Sequence, residues 1–199
     1  MLTILAGVIA FSPPVASAAV IDSYTFDSDA QGMGAPQFLN CPFAVRPTLS
    51  GPFDPSDGDP AGSAGIGTTT LASTQNTCQI ASYGTRRTPI DPTRRLSYRW
   101  EEKQTVSGLS PLGGNTIGGT IGIESFDANG NPLERRYSGI LLVNRSAPWT
   151  AKSTSDGPGA LGSDARTIRL IILVRLRFDS PLTLLTNARY AIDNLVLSQ

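Results

Sequence analysis

Twelve residues toward the end of the chain, Thr167 to Phe178 (TIRLIILVRLRF), constrain the fold more than any other stretch. Side chains of a strand alternate between faces, and Ile168, Leu170, Ile172, Val174, Leu176 and Phe178 form one unbroken apolar side. Thr167, Arg169, Arg175 and Arg177 mark the other. That second side turns apolar only at Ile171 and Leu173, which predicts a strand covered on both faces along its middle. Such a strand needs neighbours in a sheet and a second layer to pack on.

No window shows sustained helical spacing of apolar residues. Further strands are legible at Val20 to Phe26 (VIDSYTF), in RLSYRWEE with Leu96, Tyr98 and Trp100 on one side, and at Thr120 to Phe126 (TIGIESF). Tyr137 to Val143 (YSGILLV) and Tyr190 to Leu197 (YAIDNLVL) add two more. Many strands separated by Gly, Pro, Ser and Thr predict an all-β protein, an antiparallel β-sandwich. Three stretches break the rhythm. Residues 46–73 read as a long ordered excursion, Leu109 to Gly119 as a flexible connection, and Ala147 to Ala165 as a long loop. No internal repeat and no second core calls for a domain boundary.

Charge and composition exclude whole classes of function. The 199 residues carry 16 basic and 16 acidic side chains, so no excess of positive charge is available to neutralise a run of phosphates. Nucleic acid is therefore not an expected partner. Histidine is absent, which removes Ser-His-Asp and Cys-His catalysis and every imidazole-ligated metal site.

The opening MLTILAGVIAFSPPV is apolar, too short to span a bilayer, and followed by Ala16-Ser17-Ala18. It reads as a secretory signal (residues 1–18) cleaved after Ala18, leaving a single domain over 19–199; a buried N-terminal element is the alternative. No other stretch is apolar enough to cross a membrane, which predicts a secreted product, extracellular or periplasmic. An oxidising compartment favours joining the two cysteines, Cys41 and Cys78; two independent buried thiols are the other reading.

The order of these pieces resembles the jelly-roll, galactose-binding-like carbohydrate-binding modules of secreted bacterial proteins. The resemblance lies in an opening strand ending in Phe26-Asp27, the LSYRW strand, and a hairpin around Asp127 to Asn131. It continues through Trp149-Thr150 and the long amphipathic strand to the close on Ile192-Asp193-Asn194-Leu195. It implies a jelly-roll β-sandwich, non-catalytic glycan binding and a structural calcium. In the resembling modules an acidic residue near the first strand and the Asp of the closing strand approach that ion, which makes Asp27 and Asp193 its candidate ligands here. Asp22 and Asp29 could supplement them, and backbone capping is the alternative role for Asp27 and Asp193.

The remaining candidates come from the residues themselves. Trp100 and Trp149 could stack on the apolar face of a pyranose, although Trp100 shares a strand face with Leu96 and Tyr98 and also reads as core. Arg169, Arg175 and Arg177 could bind acidic glycans through bidentate contacts, or form a solvated face. Asp127-Ala-Asn-Gly-Asn131 spaces oxygen side chains like a calcium loop, but Pro132 and Ser138 stand where an EF-hand needs Gly and Glu, so a hairpin turn is expected. Asp54, Asp57 and Asp59 form a solvated or cation-bridged cluster. For a glycosidase carboxylate pair only Glu124 could face a cleft, and no partner is evident for it. The expected function is an exported, non-catalytic β-sandwich that binds polysaccharide or surface glycan. A structural or adhesive surface component without a sugar site is the alternative, and a glycan-active enzyme the third.

Overall fold

The structure, a computed structural model, describes residues 18–42, 46–58, 61–70, 76–107, 116–140, 142–178 and 186–199. The secretory segment expected over residues 1–18 lies outside them apart from Ala18. The elements are β1 (Val20–Tyr24), β2 (Gln37–Asn40), β3 (Thr48–Ser50), β4 (Phe53–Asp54), β5 (Ser63–Thr70), β6 (Asn76–Tyr83) and β7 (Thr88–Pro89). They continue with β8 (Leu96–Ser107), β9 (Thr116–Phe126), β10 (Pro132–Tyr137), β11 (Ala147–Asp156), β12 (Thr167–Phe178) and β13 (Thr186–Ser198).

These strands form two antiparallel sheets. The seven-stranded sheet runs β11-β8-β13-β5-β3, with β1 on β13 and β4 on β5; the six-stranded sheet runs β10-β9-β12-β6-β2, with β7 on β12. Without the short strands, the orders β11-β8-β13-β5 and β10-β9-β12-β6 are the two interleaved Greek keys of an eight-stranded jelly roll. The expected fold class is the observed one.

Alternation decides what enters the core. The predicted face of β12 is buried from Ile168 through Phe178, each of its six side chains 3% exposed or less. It meets Tyr24, Ile66, Tyr98, Trp100, Tyr190, Ile192 and Leu197 from the opposite sheet. Gly119 on β9 admits the Tyr190 ring between the sheets, since a Cβ there would stand inside it. Ile171 and Leu173 are also buried, as expected for a strand covered on both sides, in a second cluster with Ala81 flanked by Tyr83 and Ile140. Cys41 and Cys78 form a disulfide that ties the chain after β2 to β6.

The structure corrects four expectations. The strand expected at Tyr137 to Val143 instead runs from Pro132 to Tyr137. The Asp127 turn returns the chain directly against β9, which uses the pairing positions before Tyr137, and among the described residues beyond Tyr137 only Val143 keeps an isolated bridge, to Ile117. The long loop expected from Ala147 begins with ten residues of β11, paired with β8. Its small polar side chains suit a half-solvated edge strand and leave no apolar stripe to read. The excursion over 46–73 contains β3, β4 and β5. Strand β5 is central yet built of Ser, Ala, Gly, Ile and Thr, so it is buried without a run of large apolar side chains. In the same way Thr116 to Gly119 belong to β9, and residues 109–115 of the expected flexible connection lie outside the described ones.

Candidate functional site

The outer face of the six-stranded sheet, turned away from the core, concentrates groups that can act together. Register places Tyr137, Gly122, Ile171 and Tyr83 side by side in one row across β10, β9, β12 and β6. On one side of this row lie Arg135, Glu124 and Arg169; on the other come Thr120, Leu173 and Ala81, then Gly118, Arg175 and Gln79. With strands about 4.8 Å apart and about 6.8 Å per two residues, these rows span about 14 by 20 Å.

Tyr137 lies across Gly122. A Cβ at position 122 would come within 2.5 Å of Tyr137 Cδ1, so the missing side chain is what allows the ring to lie on the sheet. Tyr137 remains 38% exposed, while burial of the phenol raises its pKa against the opposing pull of Arg135. Beside it is a hollow of about 360 Å³ lined by Leu39, Gln79, Tyr137, Gly139, Ile140, Leu173 and Arg175. Leu39 is 41% exposed at its margin. Apolar and aromatic surface with a few polar groups at one end is the chemistry of a sugar-binding site.

Charge is segregated on this face. Glu124, 1% exposed, accepts from Arg135 Nε at 2.6 Å and from Arg169 Nε at 2.6 Å. Both guanidinium groups also lie over the Tyr83 ring, at 5.7 and 4.7 Å. The partner that sequence left unnamed for Glu124 is thus a pair of arginines, which occupy both carboxylate oxygens. Arg175 differs: its Nε is buried and has no hydrogen-bond partner among the described residues.

The other predicted residues are scattered. Arg169, Arg175 and Arg177 do share the outer face of β12, Arg177 at its exposed end. Trp100 belongs to the core at 3% exposure, donating from Nε1 to Glu102 Oε2 at 3.1 Å, so neither of its ring faces is open to a ligand. Trp149 is half-buried on β11 at the edge of the other sheet, with Lys103 Nζ 5.8 Å from its ring centroid. Sequence reasoning missed Tyr137 and Tyr83. The signal that could have found Tyr137 is Gly122 inside a strand, which marks close approach of another group.

Larger hollows, of about 470 and 480 Å³, lie on the outer face of the seven-stranded sheet around Arg99 and Val196. Their aromatic lining residues, Tyr24, Tyr98 and Trp100, are each 3% exposed or less and offer no stacking surface. The smaller hollow beside Tyr137 is therefore the better candidate.

The acidic candidates have local partners. Asp127 accepts from Asn129 N, Asn131 N and Asn131 Nδ2, all within 2.9 Å, and so closes its own hairpin turn. Asp54 accepts from Ser56, and Asp57 pairs with Lys103 at 2.7 Å; Asp59 lies outside the described residues. Asp22 is held by Arg86 and Thr88, and Asp29 accepts from Gln31 N. Asp193 is fully buried and accepts from Asn194 N at 2.7 Å, whereas Asp27 is exposed. The Asp27 main chain packs on Gly62, next to the start of β5, where β5 pairs with β13 near Asp193. Among the described residues no group of three or more Asp, Glu or Cys could hold a metal ion, so a cation at Asp27 and Asp193 would need main-chain oxygens.

No protein-family model matches the chain, and no curated protein matches it. Solved structures do. The CBM22-1–GH10 modules of a Clostridium thermocellum endo-1,4-β-D-xylanase, complexed with xylohexaose, are similar at a TM-score of 0.49 and 13% identity, over 90% of this chain and 28% of that one. The present chain thus spans little more than a quarter of that protein. The CBM22-2 xylan-binding domain of Paenibacillus barcinonensis Xyn10C is similar at a TM-score of 0.46 and 10% identity, over 89% and 98% of the two chains. The family 11 carbohydrate-binding module of a cellulosomal cellulase from Clostridium thermocellum gives 0.41 and 11%, over 90% and 95%.

Proposed function

We propose that this protein is an exported, non-catalytic module that binds polysaccharide on the outer face of its six-stranded sheet. The observation that carries the proposal is the exposed Tyr137, its ring laid across Gly122 beside a hollow lined by Leu39, Ile140, Leu173, Gln79 and Arg175. An aromatic ring already held against a sheet loses little side-chain freedom when it stacks on a pyranose.

Non-catalytic action is supported by Glu124, which is buried with both oxygens engaged by Arg135 and Arg169. Export is supported by the disulfide, which suits an oxidising compartment. Asp27 and Asp193 keep their proposed role as calcium ligands, with an ion that fastens the ends of the domain and does not touch sugar.

Pull-down on insoluble polysaccharides, with affinity electrophoresis on soluble ones, tests the proposal. The protein should be retained by at least one polymer, and Tyr137→Ala should weaken retention tenfold or more, a loss of about 1.4 kcal/mol or greater. Absence of retention on every neutral and acidic polymer, or full retention by Tyr137→Ala, would remove this reading.

A further inference from the structure

Arg175 carries, on the candidate face, a buried donor that no described residue satisfies. It projects from β12 between Gly118 and Gln79, on the same outer side as Ile171 and Leu173. Its Nε is buried, with no hydrogen-bond partner among the described residues, and its side chain lines the hollow that also holds Tyr137. A buried N–H without a partner costs free energy comparable to a lost hydrogen bond, so such donors are rare unless something else satisfies them.

The neighbouring arginines are committed elsewhere. Arg135 and Arg169 clamp Glu124, and Arg87 lies over the Phe126 ring. The only side chain level with Arg175 on β6 is the neutral Gln79. Across these rows, among the described residues, Arg135, Arg169 and Arg175 stand with a single carboxylate, Glu124, which Arg135 and Arg169 hold. A chain with no net charge has thus gathered a positive patch around the hollow.

We propose that Arg175, with Gln79 beside it, forms an anion subsite, and that the polysaccharide bound on this face carries acidic groups. The inference rests on the glycan-binding reading above and specifies its ligand class. The guanidinium meets a carboxylate or a sulfate through charge-assisted hydrogen bonds, and the Gln79 amide can donate to the same group or to an adjacent hydroxyl. Tyr137, in the same hollow, stacks on a neighbouring sugar. Uronosyl carboxylates and sulfate esters present the same chemistry to this arginine, and the choice between them is an arm of the test.

Polymers that differ only in charge provide that test. Homogalacturonan of low and high methyl esterification share one backbone with the carboxylates free or masked, and dextran sulfate paired with dextran does the same for sulfate. The wild type should prefer the charged member of at least one pair by tenfold or more. Preference within the galacturonan pair alone assigns the carboxylate, and within the dextran pair alone the sulfate ester.

Arg175→Gln should abolish the preference while leaving affinity for the uncharged member in place, and Arg175→Lys should restore part of it. Arg177→Gln removes an equal charge two residues away and should have a much smaller effect. Melting curves of all variants establish that each is folded. Equal binding within both pairs, an unchanged preference in Arg175→Gln, or equal losses in Arg175→Gln and Arg177→Gln would each overturn the anion subsite while glycan binding stands. Failure to bind any polymer defeats the glycan reading, and the subsite falls with it.

Discussion

At the scale of single residues, Gly122 does the most to shape the binding face. Its missing side chain gives Tyr137 a place to lie, and the register that pairs the two is set by the Asp127 hairpin turn. Gly122→Ala would place a methyl group against the ring and the Arg136 carbonyl, so Tyr137 must lift away from the sheet. Overpacking of this kind costs about 1–3 kcal/mol in stability. We expect a folded variant, with a midpoint lower by about 2–12 °C and polysaccharide affinity reduced like that of Tyr137→Ala. Calorimetric melting and affinity electrophoresis on one sample measure both. Full affinity in Gly122→Ala would show that the orientation of the ring is irrelevant. Trp100 makes the complementary point, since its neighbours on alternate positions, Leu96 and Tyr98, already marked it as core.

At the scale of elements, β12 carries the architecture. It pairs with β9 on one side and β6 and β7 on the other, and its inner face fills the centre of the sandwich. Leu170 is 1% exposed on that face, so Leu170→Asp would bury a charge without a partner. That cost exceeds what a marginally stable domain can absorb, and the variant should fail to accumulate as folded protein by circular dichroism and sizing. A soluble variant with unchanged melting would show the facing to be wrong. Strands were legible where apolar alternation was strong, as in β8, β12 and β13. They were hidden where burial falls on small or polar side chains, as in β5 and β11. The candidate face was only partly legible. Arg169, Arg175 and Arg177 lie on a readable strand, but Tyr137 and Tyr83 reach the same row through register, which pairs residues far apart in sequence.

At the scale of the whole molecule, the proposed export, disulfide and calcium converge on one measurement of the product recovered from a secreting host. Native mass spectrometry should show loss of residues 1–18, a mass two hydrogen atoms below the reduced form, and one bound calcium that Asp193→Ala removes. The proposed ion would link folding to binding, and calcium at 100 times its dissociation constant would add about 2.7 kcal/mol, or about 5–10 °C in melting midpoint. A product retaining Met1 with two free thiols would defeat the export proposal, and identical melting in calcium and chelator would leave Asp193 as a strand residue capping its own backbone. The central claim concerns which face of the sandwich meets the glycan. The most direct test is a titration of isotope-labelled protein with an oligosaccharide derived from a retained polymer, followed by nuclear magnetic resonance. Amide shifts should concentrate at Tyr137, Gly122, Leu173, Arg175 and Gln79 on the six-stranded sheet. Shifts confined to Arg99, Val196 or Trp149 on the opposite sheet would contradict it.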